Sequence, residues 1–335
     1  MPEPLHILSP ADLPDADRAQ VLERARALKA SDPNPIANRL RVGAMYFNPS
    51  LRTRASFEQA VRIVGGSCQT MNVNQDTWAL EFDPNAIMDG DKVENIAEAA
   101  RVLGRFYHVL GVRSFRGQST WEIERSEPIL RKIAHYAGVP VISLEGATHH
   151  PCQSLADLLT MQETFGQDLS ELPVALCWSW HPRALPAAVP HSFVLQAALA
   201  GADVAIVHPE GLELDSGILD QARTAAAARG GKVSIHYNRE EGLKGRRVVY
   251  AKSWGPLFSG QPADPSLRHW CLDENAMKGT DNGRVMHCLP VRRNVVVSGE
   301  LLDGPRSLVV NEAENRLWVQ AALVEHIARR QGVIA

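Results

Sequence analysis

Met45-Tyr46-Phe47-Asn48-Pro49-Ser50-Leu51-Arg52-Thr53-Arg54-Ala55-Ser56-Phe57-Glu58 reads as a strand, a tight turn and the start of a helix. Val42 to Phe47 is apolar and β-prone, and Asn48-Pro49 is a turn signal. Ser50 is placed to cap a helix whose apolar positions are Ala55, Ala60, Val61 and Val64. A helix start presents free backbone N–H groups and a partial positive charge. Ser50, Leu51, Arg52, Thr53 and Arg54 crowd that turn, which gives the stretch the character of a phosphate cradle. Arginines also line solvated helix faces, so the rest of the chain has to choose between the two readings.

Working outward, apolar periodicity alternates between strand and helix. Before the cradle, residues 12–30 read as an amphipathic helix with Leu13, Val21, Leu22, Ala25 and Leu28 inward, closed by Asp32-Pro33-Asn34-Pro35. After it come a strand over 68–73, a long polar loop over 74–91 carrying Trp78, and a helix over 92–107 with Ile96, Ala100, Leu103 and Phe106 or Tyr107 inward. A strand over 109–112 then delivers Arg113, and a helix over 122–137 and a strand over 139–144 lead into Glu145 to Gln153. A helix over 155–165 leaves this half. The second half repeats the alternation: strands at 174–177, 203–207, 233–236, 247–252 and 284–287, helices at 192–200 and 217–228, and a last helix over 312–330. This order predicts an α/β fold of two doubly wound domains, residues 1–153 and 154–311, each a parallel sheet with helices on both faces. Ligands of such sheets sit at the carboxyl ends of strands, which is where Arg113, Glu145 and Cys288 fall.

With 335 residues there is chain enough for two cores. A net charge of −3 leaves no polycationic surface, so nucleic acid and anionic membrane are not expected partners. Met1 to Leu28 has no signal-type apolar segment and no run approaches a membrane span, which predicts a cytoplasmic protein. Five cysteines, Cys68, Cys152, Cys177, Cys271 and Cys288, are scattered without C-x-x-C spacing, as expected for reduced thiols. His149, His150 and Cys152 lack a second paired ligand set, so no metal is expected. No G-x-G-x-x-G follows a strand, which argues against a dinucleotide site.

Ser50-Leu51-Arg52-Thr53-Arg54, Gly111-Val112-Arg113, His150-Pro151-Cys152-Gln153 and His287-Cys288-Leu289-Pro290, in that order, resemble the carbamoyltransferase family over nearly the whole chain. The resemblance implies transfer from carbamoyl phosphate to an amine, without cofactor. It implies that Ser50, Leu51, Arg52, Thr53 and Arg54 bind the phosphate, and that Trp78 reaches a neighbouring subunit's site in a homotrimer. Arg113, His150 and Thr53 would donate to the carbonyl oxygen, where charge grows in the transition state. Gln153 stands i, i+3 from His150 if Pro151 begins a helix. Main-chain carbonyls of Cys288 and Leu289 would hold the carbamoyl NH₂. Arg316 would return to the phosphate side, on a C-terminal helix, 312–335, that completes the first domain.

The D-x-x-x-S-M-G loop of ornithine enzymes is absent; the corresponding stretch is Lys252-Ser253-Trp254-Gly255. Asn74-Gln75-Asp76-Thr77-Trp78, Met88-Asp89-Gly90-Asp91, His181-Pro182-Arg183, Ala251-Lys252-Ser253-Trp254 and Pro290-Val291-Arg292-Arg293-Asn294 resemble instead the branch that carbamoylates Nα-acylated ornithine in arginine biosynthesis. Glu145, His181, Lys252 and Arg292 would then hold the ornithine part. Val93 stands where acetyl-using members have a glutamate and succinyl-using members a small apolar residue or proline. Val296 stands where acetyl-using members have a lysine. The implied acceptor is N-succinyl-L-ornithine, with N-acetyl-L-ornithine as the alternative and, behind it, free ornithine or a non-catalytic relative that only binds a metabolite.

Overall fold

The computed structural model describes residues 4–115, 120–259 and 261–334. They form two compact units, residues 1–152 with 316–335 and residues 153–315. Each is built on a parallel sheet.

In chain order the first unit contains α1 (Asp15–Ser31), β1 (Arg41–Tyr46), α2 (Leu51–Ile63), β2 (Ser67–Asn72), β3 (Leu80–Glu81), β4 (Glu94–Asn95), α3 (Ile96–Phe106) and β5 (Val109–Arg113). α4 (Trp121–Glu124), α5 (Pro128–Ala137), β6 (Val141–Glu145) and the start of α6 (Pro151–Phe165) follow. The main sheet runs β2-β1-β5-β6. α3 and α5 cover one face, over Met45, Leu110, Val112 and Val141. α2 covers the other: a Cβ on Gly111 would lie 2.7 Å from the Phe57 ring, so only glycine lets this helix approach β5. Gly104 serves the helix pair similarly, since a Cβ there would meet the Ala137 carbonyl of α5.

Several sequence expectations need correction here. The first helix begins at Asp15, after Pro14, and Leu13 is buried just outside it. α2 turns Thr53, Phe57, Ala60, Val61 and Ile63 inward, and Ala55 is exposed, because the cap at Ser50 sets the helical phase. The helix expected over 122–137 is broken: Glu127 takes a left-handed backbone (φ 51) and Pro128 opens a new helix. The loop after β2 contains the short β3, which pairs with β4.

The second unit carries β7 (Pro173–Trp178), α7 (Ala188–Leu199), β8 (Asp203–Val207), α8 (Ser216–Ala227), β9 (Lys232–His236), α9 (Arg239–Leu243), β10 (Val248–Lys252), β11 (Arg284–Met286), α10 (Gly299–Asp303) and the start of α11 (Val309–Arg330). Its sheet runs β11-β10-β7-β8-β9, all parallel. α7 is largely apolar and buried from Ala188 to Ala198, with His191, Ser192 and Gln196 among its buried side chains. Phe193 stacks on Tyr250 with ring centroids 4.4 Å apart. The indole N–H of Trp178 donates to the Trp254 carbonyl, and that of Trp254 to the Leu212 carbonyl, which satisfies both buried polar tips. No helix is long and apolar enough to cross a membrane among the described residues.

Candidate active site

In the first sheet the strand order reverses at β1, which lies between β2 and β5. A crevice opens at the carboxyl ends on either side of such a point. Tyr46 of β1 pairs with Arg113 of β5, and the Phe47 N–H donates to the Arg113 carbonyl at 2.9 Å. The turn into α2 and the Arg113 side chain therefore leave the sheet side by side. Ser50 caps α2 as expected, its hydroxyl accepting from Thr53 N–H at 3.2 Å. Thr53 is buried, whereas Leu51 is 83% exposed, so only the backbone of Leu51 suits an anion. Arg54 is half exposed and its Nε donates to Glu58 at 3.1 Å. Glu58 in turn accepts from the Thr70 hydroxyl, so the arginine is held from behind.

Arg113 is buried, bonded to Glu145 at the end of β6 and stacked over Phe115. Its Nε has no hydrogen-bond partner among the described residues. His150 lies 4.0 Å from the same carboxylate. Burial, with Arg316 and Arg113 nearby, holds the His150 imidazole well below its ordinary range, so it is neutral at pH 7 and has one N–H to donate. Arg113, Glu145, His150 and Arg316 thus share one neighbourhood of this unit. Trp78 is 58% exposed and its indole N–H donates to Glu94 at 2.7 Å. Val93 is 67% exposed.

The second sheet reverses at β7, beside β10. Trp178 pairs with Lys252, and Ser179 N–H donates to the Lys252 carbonyl at 3.1 Å, which brings the loop after β7 and the end of β10 together. His181 on that loop accepts from Arg292 Nε at 3.0 Å through Nε2, which places its proton on Nδ1, 3.0 Å from the Arg183 carbonyl that accepts it. Partial burial and the surrounding Arg292, Lys252 and Arg183 cations lower its pKa. A neutral histidine among three cations can attract an anionic group. At the end of β11, Leu289 is left-handed (φ 54), a strain of about 1 kcal/mol for a branched side chain. Gln153, at the start of α6, is buried with Asp157 and Glu312. Val296 is buried, unlike Val93.

Residues 5–163 match the aspartate/ornithine carbamoyltransferase carbamoyl-P binding domain, and 184–327 match the Asp/Orn binding domain of the same enzymes. The chain belongs to the aspartate/ornithine carbamoyltransferase family. It is 37% identical to N-acetylornithine carbamoyltransferase of Xanthomonas axonopodis pv. citri, covering 98% of both chains. It is also 37% identical to N-succinylornithine carbamoyltransferase of Bacteroides fragilis, covering 81% of this chain and 82% of that one. A crystal structure of a glutamate-to-valine mutant of N-acetyl-L-ornithine transcarbamylase, complexed with carbamyl phosphate and N-succinyl-L-norvaline, superimposes with a TM-score of 0.91 at 37% identity, covering 96% and 99% of the two chains. The protein is a carbamoyltransferase of the N-acylornithine branch.

Sequence reasoning missed two supports in this carbamoyltransferase. Glu127, at the break before α5, accepts from Ala147 N–H (3.0 Å), Thr148 N–H (2.6 Å) and the Thr148 hydroxyl (2.6 Å). It thereby ties down the loop that carries His149 and His150. Glu312 accepts from the His287 N–H at 2.8 Å and from the Tyr250 hydroxyl at 3.2 Å. In sequence both glutamates look like solvated acids at helix starts, one beside a proline, and nothing local marks them as buried.

Proposed function

We propose that this carbamoyltransferase uses N-succinyl-L-ornithine, giving N-succinyl-L-citrulline and phosphate in a step of arginine biosynthesis. The observation that carries the choice of acyl group is Val93, apolar and 67% exposed in the stretch Asp89 to Glu94, where the resemblance sets a glutamate in acetyl-using members. A succinyl carboxylate about 5 Å from such a glutamate would feel roughly 3 kcal/mol of repulsion at an effective dielectric of about 20, and valine removes it. The crystallised relative in which a glutamate is replaced by valine was complexed with a succinyl compound, which supports the same reading.

In this reading Ser50, Arg52, Thr53 and Arg54, with the Leu51 backbone amide, hold the phosphate, and Arg316 and Trp78 complete its surroundings. Arg113, His150 and Thr53 donate to the carbonyl oxygen. Gln153 and the carbonyls of Cys288 and Leu289 take the carbamoyl NH₂. Lys252 and Arg292 receive the ornithine α-carboxylate, beside His181 and Glu145. The amine nitrogen bonds to the carbonyl carbon, the carbon–oxygen bond to phosphate breaks, and the amine proton passes to the leaving phosphate. Carbamoyl phosphate is already activated, so the step needs no covalent enzyme intermediate or cofactor. A cytoplasmic homotrimer with Trp78 donated between subunits belongs to the same reading; light scattering that shows an active monomer overturns the trimer.

N-acetyl-L-ornithine is the second reading, favoured by the match to an N-acetylornithine enzyme over 98% of this chain. The deciding experiment compares kcat/KM for N-succinyl-L-ornithine, N-acetyl-L-ornithine and free L-ornithine. Preference for the succinyl compound is expected. Preference for the acetyl compound overturns the acyl choice alone, and preference for free ornithine overturns both.

A further inference from the structure

Gln153 Nε2 has two N–H groups, and both go to acids: Asp157 Oδ1 at 2.8 Å and Glu312 Oε1 at 2.9 Å. An amide flipped the other way would set its oxygen against two carboxyl groups. The network therefore fixes which end of Gln153 points away from the acids, and that end is the acceptor oxygen. Glu312 also reaches the end of β11. Its Oε2 accepts from His287 N–H at 2.8 Å, and His287 Nδ1 accepts from Leu289 N–H at 2.8 Å. That chain of bonds ties Glu312 to the backbone of Leu289, which is left-handed (φ 54).

We propose that Glu312 is a positioning residue for the carbamoyl group, orienting the Gln153 amide through Oε1 and the Cys288–Leu289 carbonyls through His287, so that three acceptors converge on one NH₂. This rests on the proposed binding of carbamoyl phosphate. Glu312, Asp157 and Tyr250 are all buried, and taking two acids out of water costs solvation that their hydrogen bonds have to offset. Burial and the neighbouring Asp157 raise the Glu312 pKa well above the ordinary range, so the pair retains a proton and is not a doubly charged defect.

The test is a double-mutant cycle of Glu312→Gln with Gln153→Ala, read by steady-state kinetics and by calorimetry of carbamoyl phosphate binding. Glu312→Gln keeps an acceptor for His287 N–H but faces Gln153 Nε2 with a second donor. It should lower kcat/KM for carbamoyl phosphate about tenfold, the worth of one buried hydrogen bond, with KM for the acyl-ornithine unchanged. Adding Gln153→Ala to it should cost less than about twofold more, because the two act as a unit. Glu312→Leu, which accepts nothing, should lose about a hundredfold. Unchanged kinetics in Glu312→Gln, or losses that multiply in the double mutant, overturn the proposal, and Glu312→Gln decides it even where Glu312→Leu fails to fold. Calorimetry separates the two levels of argument. A parent protein that binds carbamoyl phosphate but carbamoylates no acceptor refutes the acceptor assignment and leaves the cycle readable as affinities. A parent that does not bind carbamoyl phosphate refutes both.

Discussion

Arg113 and Glu145 close an ion pair across the ends of neighbouring parallel strands, with side chains only 10% and 15% exposed. Removing one partner of so dry a pair strands the other charge, typically at a cost of about 3 kcal/mol. Arg113→Ala is therefore expected to lower unfolding free energy in urea by roughly that amount and, if Arg113 donates to the carbonyl oxygen as proposed, turnover by about 100-fold to 1000-fold. Arg113→Lys keeps the charge and not the planar fork. It should recover much of the stability and little of the rate, and recovery of both would contradict the assignment.

His150 is neutral in the folded protein because burial and two arginines depress its pKa well below 6.5. The unfolded chain takes up a proton there as pH falls through about 6.5, and the folded chain resists it, so stability declines towards acid by up to about 1.4 kcal/mol per pH unit. His150→Gln should flatten the unfolding free energy between pH 6.5 and lower values, measured by urea melts, while reducing kcat about 100-fold. An unchanged acid limb would show that the histidine is not held neutral.

The opposite sign applies to Glu312, whose folded pKa is raised. Its contribution is fully present below about pH 4.5 and is lost as pH rises through the folded value. Glu312→Gln cannot ionise, so its stability relative to the parent should improve as pH increases, and thermal melts across that range check this.

Glu127→Ala removes the acceptor of three hydrogen bonds from Ala147 and Thr148 and leaves two backbone N–H groups buried. A loss of about 2–4 kcal/mol is expected, with a fall in kcat from a loosened His150 loop. Glu127→Gln, which can still accept one or two of the bonds, should lie between. Equal activity in all three proteins would detach the loop from the chemistry.

Val93→Glu should move the acceptor preference from the succinyl towards the acetyl compound, by up to about a hundredfold if repulsion is roughly 3 kcal/mol. The kcat/KM ratio for the two acceptors is the measurement, and an unmoved ratio removes the charge argument. Val93 is exposed, so the substitution should leave the melting temperature nearly unchanged.

The Ser50 cap and the helix it opens could be read from the chain because their physics is local. Ser50 and Thr53 are three positions apart, the cap and the helix charge act within one turn, and strand-then-helix alternation marks a parallel sheet. Arg113 and Glu145 were legible as strand-end residues for the same reason. Their pairing with each other was not, since it depends on which strands become neighbours in the order β2-β1-β5-β6. Tertiary structure alone decided the break at Glu127 and the inward phase of α2. It also decided the burial of Glu312, whose partners Gln153, Tyr250 and His287 lie 159, 62 and 25 positions away. A carboxylate is written the same way whether water or two buried amides surround it, and only the folded chain supplies the dielectric and the partners that turn an acid at a helix start into a buried hydrogen-bond hub.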